Sequence, residues 1–241
     1  MIEASHLGKR FGAIEAVRDV SFTARDGRVT GLLGPNGAGK STTLRILYTA
    51  IRADSGQARI DGHDCTGSSL AVRRCLGVLP HSTGLYPHLT ALENIRYYGE
   101  LHGLAGTALA HRLEALVELL DLNGIAHRQA RGFSQGQRIK VALARALVHE
   151  PRNVILDEPT NGLDVMAIRS LRDAIRRLRD RGCCVLLSSH VMQEVAAVCD
   201  DLVVIARGQV VHAGTPDGLL ATTGAANLEE AFVQLAGTEA T

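Results

Sequence analysis

Eight consecutive residues, Gly34-Pro35-Asn36-Gly37-Ala38-Gly39-Lys40-Ser41, place glycines, a lysine and a hydroxyl at the spacing that cradles phosphate. Each residue type has a physical task. Glycine lets backbone N–H groups turn toward phosphate oxygens, and the helix that follows adds the positive end of its dipole. The Lys40 ammonium would neutralise β- and γ-phosphates, the Ser41 hydroxyl would ligate Mg²⁺, and Thr42 would be a further nucleotide contact on the same helix. A second pair with chemical potential is Asp157-Glu158, directly after the apolar run Val154-Ile155-Leu156. Ligands of open parallel sheets lie beyond the carboxyl ends of strands, so both carboxylates should face the nucleotide. Asp157 would hold the metal, and Glu158 would polarise the attacking water. A third group is Phe133-Ser134-Gln135-Gly136-Gln137, which opens a helix and so offers another anion-binding N-terminus with a serine hydroxyl.

The elements that must carry these residues can be read from periodicity. Residues 16–22 and 28–33 alternate as strands, separated by the turn Asp26-Gly27, and the phosphate loop follows the second of them. Residues 41–51 carry Leu44, Leu47 and Ile51 on one helical face, and 55–62 reads as a short strand. From Pro80 to Glu150 the pattern is helical, with helices expected over 109–122 and 136–148. Beyond Pro151 strand and helix alternate again: strands at 154–156, 183–187 and 202–206, and a helix at 168–181 whose arginines form a solvated face. Alternating β and α at both ends imply a parallel sheet interrupted by a helical insert. The tail from Pro216 is expected to be helical at most and to carry no chemistry.

Composition narrows the classes. The 241 residues hold 26 basic and 25 acidic side chains, a formal charge of +1, which argues against neutralising a nucleic-acid backbone as the main task. Apolar residues make up 46 %, enough for a sizeable core, but aromatics are four Phe and four Tyr with no Trp, so the core must be aliphatic. No uninterrupted apolar run exceeds five residues, far short of the roughly 20 that a membrane span needs. The five cysteines include no CxxC pair, the start lacks a secretory profile, and both point to a reduced cytoplasmic chain.

The order of these motifs resembles the ATP-binding subunits of ABC transporters over residues 1 to about 215. Phe133-Ser134-Gln135-Gly136-Gln137 is similar to their signature, with Ser134, Gly136 and Gln137 matching and Gln135 in place of a glycine. The resemblance implies an α/β P-loop NTPase fold of ABC type: a mostly parallel sheet, an N-terminal antiparallel β portion and an inserted helical subdomain. The expected division is 1–79 and 151–215 for the ATP-binding core, 80–150 for the helical subdomain and 216–241 for a short tail. It implies ATP and Mg²⁺ as ligands and a head-to-tail dimer, in which the P-loop of one copy and the signature of the other enclose each ATP. Phe11 resembles the aromatic that stacks on adenine, Asp164 belongs to a segment similar to the D-loop, and Ser188-Ser189-His190 resembles the switch that sets His190 against the γ-phosphate. His81 stands where the family has a glutamine linking Mg²⁺ and water to the membrane partner. Imidazole reaches less far, so His81 is expected to signal to the partner and to contribute little to the metal.

With one P-loop, one signature, no long heptad segment and no zinc cysteines, a transporter subunit is favoured over a soluble ATPase acting on nucleic acid or ribosomes. The resemblance places the chain peripherally on the inner face of the cell membrane, its helical subdomain docked on a separate permease. The stretches 80–90 and 162–167 are similar to the bacterial sodium-efflux type, a group that overlaps with drug, lipid and polysaccharide exporters.

Overall fold

The computed structural model describes residues 1–237. Ten strands form one sheet: β1 (Ile2–Phe11), β2 (Ile14–Ala24), β3 (Val29–Leu33), β4 (Ser55–Ile60), β5 (His63–Asp64), β6 (Leu76–Leu79), β7 (Asn153–Asp157), β8 (Cys184–Ser189), β9 (Asp201–Ala206) and β10 (Gln209–Gly214). Their spatial order is β5-β4-β1-β2-β10-β9-β3-β8-β7-β6. β1, β2, β4 and β5 pair antiparallel, whereas β9, β3, β8, β7 and β6 run parallel, so the expected mixed architecture is what the chain adopts.

Parallel strands are buried on both faces, and side chains alternate across them. In β7, Val154 and Leu156 join the core on one face, with Leu33, Val185, Leu187 and Val204. Ile155 points to the other, with Leu32, Leu186, Val203 and Ile205. The core is aliphatic as composition demands: Phe22 and Phe133 are the buried aromatics among the described residues.

The chain also forms nine α-helices, counted over the described residues: α1 (Lys40–Leu47), α2 (Ser69–Cys75), α3 (Ala91–Leu101), α4 (Gly106–Leu119), α5 (Gln135–Leu147), α6 (Val165–Asp180), α7 (Met192–Ala196), α8 (Pro216–Thr223) and α9 (Leu228–Gly237). α3, α4 and α5 all lie in the segment between β6 and β7. α3 starts at a capping box in which Thr90 accepts the Glu93 amide and the Glu93 carboxylate accepts the Thr90 amide.

Several boundaries differ from the periodicity. α1 stops at Leu47 rather than reaching Ile51, because Thr49 turns left-handed at φ 63°. α4 runs 106–119 instead of 109–122; Asp121 breaks the helix at φ 51°, and the apolar Leu120 and Leu122 are buried by the turn rather than by the helix. β10, α2 and α7 are elements that periodicity did not single out. The tail forms two helices, with Thr215 capping α8, Pro216 at its first turn, and Leu219 and Ala231 fully buried against the core.

Candidate functional site

The phosphate loop connects β3 to α1, and its shape is dictated by glycine. A Cβ at Gly34 would lie 2.2 Å from the Ile205 carbonyl oxygen, so no side chain fits there. Gly39 has φ 104° and would press on the Ala16 carbonyl oxygen at 2.5 Å. Gly37, at φ 82°, has nothing within 4 Å of its missing Cβ, so the loop is open on that side. Behind the loop, the Gly208 amide donates to the Ala38 carbonyl, tying it to the turn before β10.

Lys40 is buried, 5 % exposed, and its ammonium donates to the carbonyls of Gly34 at 2.6 Å and Pro35 at 3.1 Å. Burial pushes its pKa down, while the carboxylates of Glu158 and Asp157 oppose that shift. A buried cation with only carbonyls for partners favours an anion in the space beside it. That space is a groove of about 350 Å³ lined by Ile14, Glu15, Ala16, the loop from Asn36 to Thr42, and Glu158. Ser41 and Thr42 stand at its α1 end, Ser41 exposed.

Asp157 and Glu158 end β7 as expected. Asp157 is buried and accepts the Ser188 hydroxyl at 2.8 Å. The Ser188 oxygen accepts the Glu158 amide at 2.9 Å, so one hydroxyl fixes both acidic residues. Glu158 sits at φ 49°, and its carboxylate meets His190 Nδ1 at 2.9 Å. The parallel register of β7 and β8 sets Asp157 level with Ser188, which brings Glu158 and the residues after β8 together. The role of Ser188 was not legible beforehand, since it depends on which strand pairs with which; the doublet Ser188-Ser189 after an apolar run was its signal.

The signature residues form a second site. Ser134 caps α5 by accepting the Gln137 amide at 3.2 Å, and the Gln137 side chain accepts the Ser134 amide at 3.1 Å. A Cβ on Gly136 would come within 3.1 Å of Ala167, so glycine lets the start of α5 approach α6. A groove of about 520 Å³ there is lined by Ser134, Gly136, Gln137, Asp164, Met166 and Ala167 among others. It shares no residue with the phosphate-loop groove. Asp164 is committed locally, capping α6 through the Ala167 amide at 2.8 Å.

Two expected residues stand apart. Phe11 is 47 % exposed at the β1–β2 turn, with the Lys9 ammonium 5.6 Å from its ring centre. Its register partner Ile14, not Phe11 itself, lines the phosphate-loop groove. His81 is exposed, two residues past Leu79, as Glu158 is two past Leu156, with Leu79 and Leu156 paired.

The sequence model of the ABC transporter family matches residues 17–161, which span the phosphate loop, the signature and Asp157-Glu158. The chain belongs to the ABC transporter family. This ABC ATPase is 38 % identical over 238 residues to the ABC transporter ATP-binding protein NatA of Bacillus subtilis, covering 97 % of each chain. It is 37 % identical to the probable multidrug ABC transporter ATP-binding protein YbhF of Escherichia coli, there matching 41 % of the longer protein. Among solved structures it is similar to an ATP-binding subunit of an ABC transporter, at 30 % identity and a TM-score of 0.89, covering 98 % of this chain and 99 % of the other. The ABC ATPase has no helix, among its described residues, long and apolar enough to cross a membrane.

Proposed function

We propose that this ABC ATPase binds ATP with Mg²⁺ in the phosphate-loop groove, hydrolyses it within a head-to-tail dimer, and powers export through a separate permease docked on the α3–α5 segment. The observation that carries the reading is that Glu158, held by Ser188 and paired with His190, lines the same groove as Lys40 and the phosphate loop. A carboxylate and a buried ammonium at one groove supply the two needs of phosphoryl transfer: an oriented water and neutralised charge.

In this mechanism the amides of 36–41 and the Lys40 ammonium hold the phosphates, Lys40 exchanging its carbonyl partners for phosphate oxygens. Phe11 and Ile14, paired at the β1–β2 turn, offer the adenine an apolar surface. Asp157 and Ser41 suit Mg²⁺, which is held by one or two carboxylates together with phosphates and waters rather than by a protein cage. In keeping with that donor set, no group of three or more His, Cys, Asp or Glu side chains gathers as a metal site among the described residues. The ion, when bound, would draw charge from the phosphates. His81 lies outside that pair and serves contact with the permease. Glu158 orients the water, and His190 donates to the γ-phosphate while its other nitrogen stays on Glu158.

Two separate anion-binding ends on one chain support the dimer: Ser134 and Gly136 of one copy would close over the ATP of the other. The relatives named for multidrug transport favour export, and the resemblance to the sodium-efflux type favours sodium as the solute. Phosphate release and ATP binding together test the reading. Glu158→Gln should keep ATP binding and lose turnover by about 100-fold or more, whereas Lys40→Ala should lose binding. Full turnover by Glu158→Gln would remove the assignment.

A further inference from the structure

The parallel ladder of β7 and β8 ends at the pair Asp157 and Ser188. Glu158 and His190, which must stay together, both lie beyond that last rung. Glu158 also has a left-handed backbone, a conformation that persists in a non-glycine residue only when its surroundings hold it. Ser188 fastens the rung itself. A second fastening lies further out, on α7.

There the Glu194 carboxylate accepts the Thr160 hydroxyl and, through the same oxygen, the Ser189 hydroxyl at 3.4 Å. The Ser189 oxygen in turn accepts the Val191 amide at 3.0 Å. An acidic residue in the first turn of a helix ordinarily serves the helix's own amides and dipole. Here the Val191 amide is taken by Ser189, and Glu194 instead spans two chain segments. One carries His190; the other, from Glu158 to Thr160, carries the water-orienting carboxylate. Thr160 also accepts the Leu163 amide through its carbonyl at 3.1 Å, next to Asp164 in the signature groove. The Glu194 carboxylate lines neither groove; its bond to Thr160 lies two residues from Glu158 of the phosphate-loop groove and four from Asp164 of the signature groove.

We propose that Glu194 is a positioning residue for hydrolysis, which holds the His190 segment against the Glu158 segment by accepting the hydroxyl hydrogens of Thr160 and Ser189. This rests on the ATPase reading of the same site. Glu194 touches no reacting atom; it acts through the geometry of the Glu158–His190 pair.

The test is steady-state ATP hydrolysis by the full chain, with a melting curve for each variant. Misplacement of reacting groups by an ångström can cost about 100-fold, so Glu194→Ala should lower kcat by about 10- to 100-fold. KM for ATP should stay within about twofold, because the phosphate loop is untouched. Glu194→Gln keeps an acceptor oxygen and should recover kcat to within about threefold of the unsubstituted chain. Thr160→Val removes one arm of the bridge and Glu194→Ala removes both; a bridge missing either arm joins nothing, so Thr160→Val should mirror Glu194→Ala and the double variant should be no worse than Glu194→Ala. Turnover of Glu194→Ala within about twofold of the parent, equal losses for Ala and Gln, or additive losses in the double variant would each overturn the proposal. If Glu194→Ala folds poorly, Thr160→Val decides by the same split between kcat and KM. An unsubstituted chain without turnover overturns the ATPase reading and this proposal with it. A normal parent rate with an unimpaired Glu194→Ala overturns this proposal alone.

Discussion

Ser188 does two jobs with one hydroxyl: its hydrogen goes to Asp157 and its oxygen takes the Glu158 amide. Both acidic residues are thereby set before any ligand arrives, which is what electrostatic preorganisation requires. Ser188→Ala should leave the buried Asp157 short of a donor and release the Glu158 backbone. We expect a stability loss of about 1–3 kcal/mol in urea unfolding, with turnover falling more than ATP affinity. A stable variant with full turnover would show that the ladder alone suffices. At this scale the sequence reads best where function is contiguous. The phosphate loop and Asp157-Glu158 could be assigned because their tasks are local. Ser188 could not, because its partners come from a neighbouring strand, and neither could Ile14, which reaches the phosphate-loop groove as the register partner of Phe11 across the β1–β2 turn.

Elements meet at the junction between the α3–α5 segment and the sheet. Arg145 of α5 is buried, donates to the carbonyls of Thr83 and Gly84 at 2.6 and 2.9 Å, and lies 4.5 Å from the ring centre of Tyr98. It thus binds the signature helix to the loop that begins with His81. Gly77 lets β6 approach the end of α5, since a Cβ there would meet the Ala146 carbonyl oxygen at 2.4 Å. His149, between α5 and β7, stacks on His102 at 3.7 Å, and a ring nitrogen faces the Leu76 carbonyl oxygen at 3.2 Å. Burial, aided by His102, pushes its pKa down to about 4, opposed by the Leu76 carbonyl.

The consequence for stability has a definite sign. Between about pH 6.5 and 4 the unfolded chain binds a proton at His149 that the folded chain does not, so stability must fall as pH falls through that window. The effect is about 3 kcal/mol at most. His149→Gln should flatten this part of the melting temperature against pH; an unchanged acid limb would mean that His149 contributes nothing to it. Long periodic elements were legible here, as α5 and α6 show. The short α2 and α7 were not, since neither is long enough to display a helical period. α4 shifted because Asp121 ends the helix while Leu120 and Leu122 still face the core.

For the whole molecule, one sheet with an aliphatic core on each face holds two grooves, at the phosphate loop and at the signature, that share no residue. The fold class was legible because β and α alternate on both sides of a helical stretch. The packing of the tail was not, because the burial of Leu219 and Ala231 depends on surfaces far away in sequence. On the proposed function, a chain that carries both grooves completes its chemistry only with a second copy. Size-exclusion chromatography of Glu158→Gln with ATP and Mg²⁺ tests this most directly. We predict elution at twice the single-chain mass, and a return to the single-chain position when Ser134→Arg is added to block the signature. A Glu158→Gln chain that stays single with ATP, or a pair that survives Ser134→Arg, would contradict it.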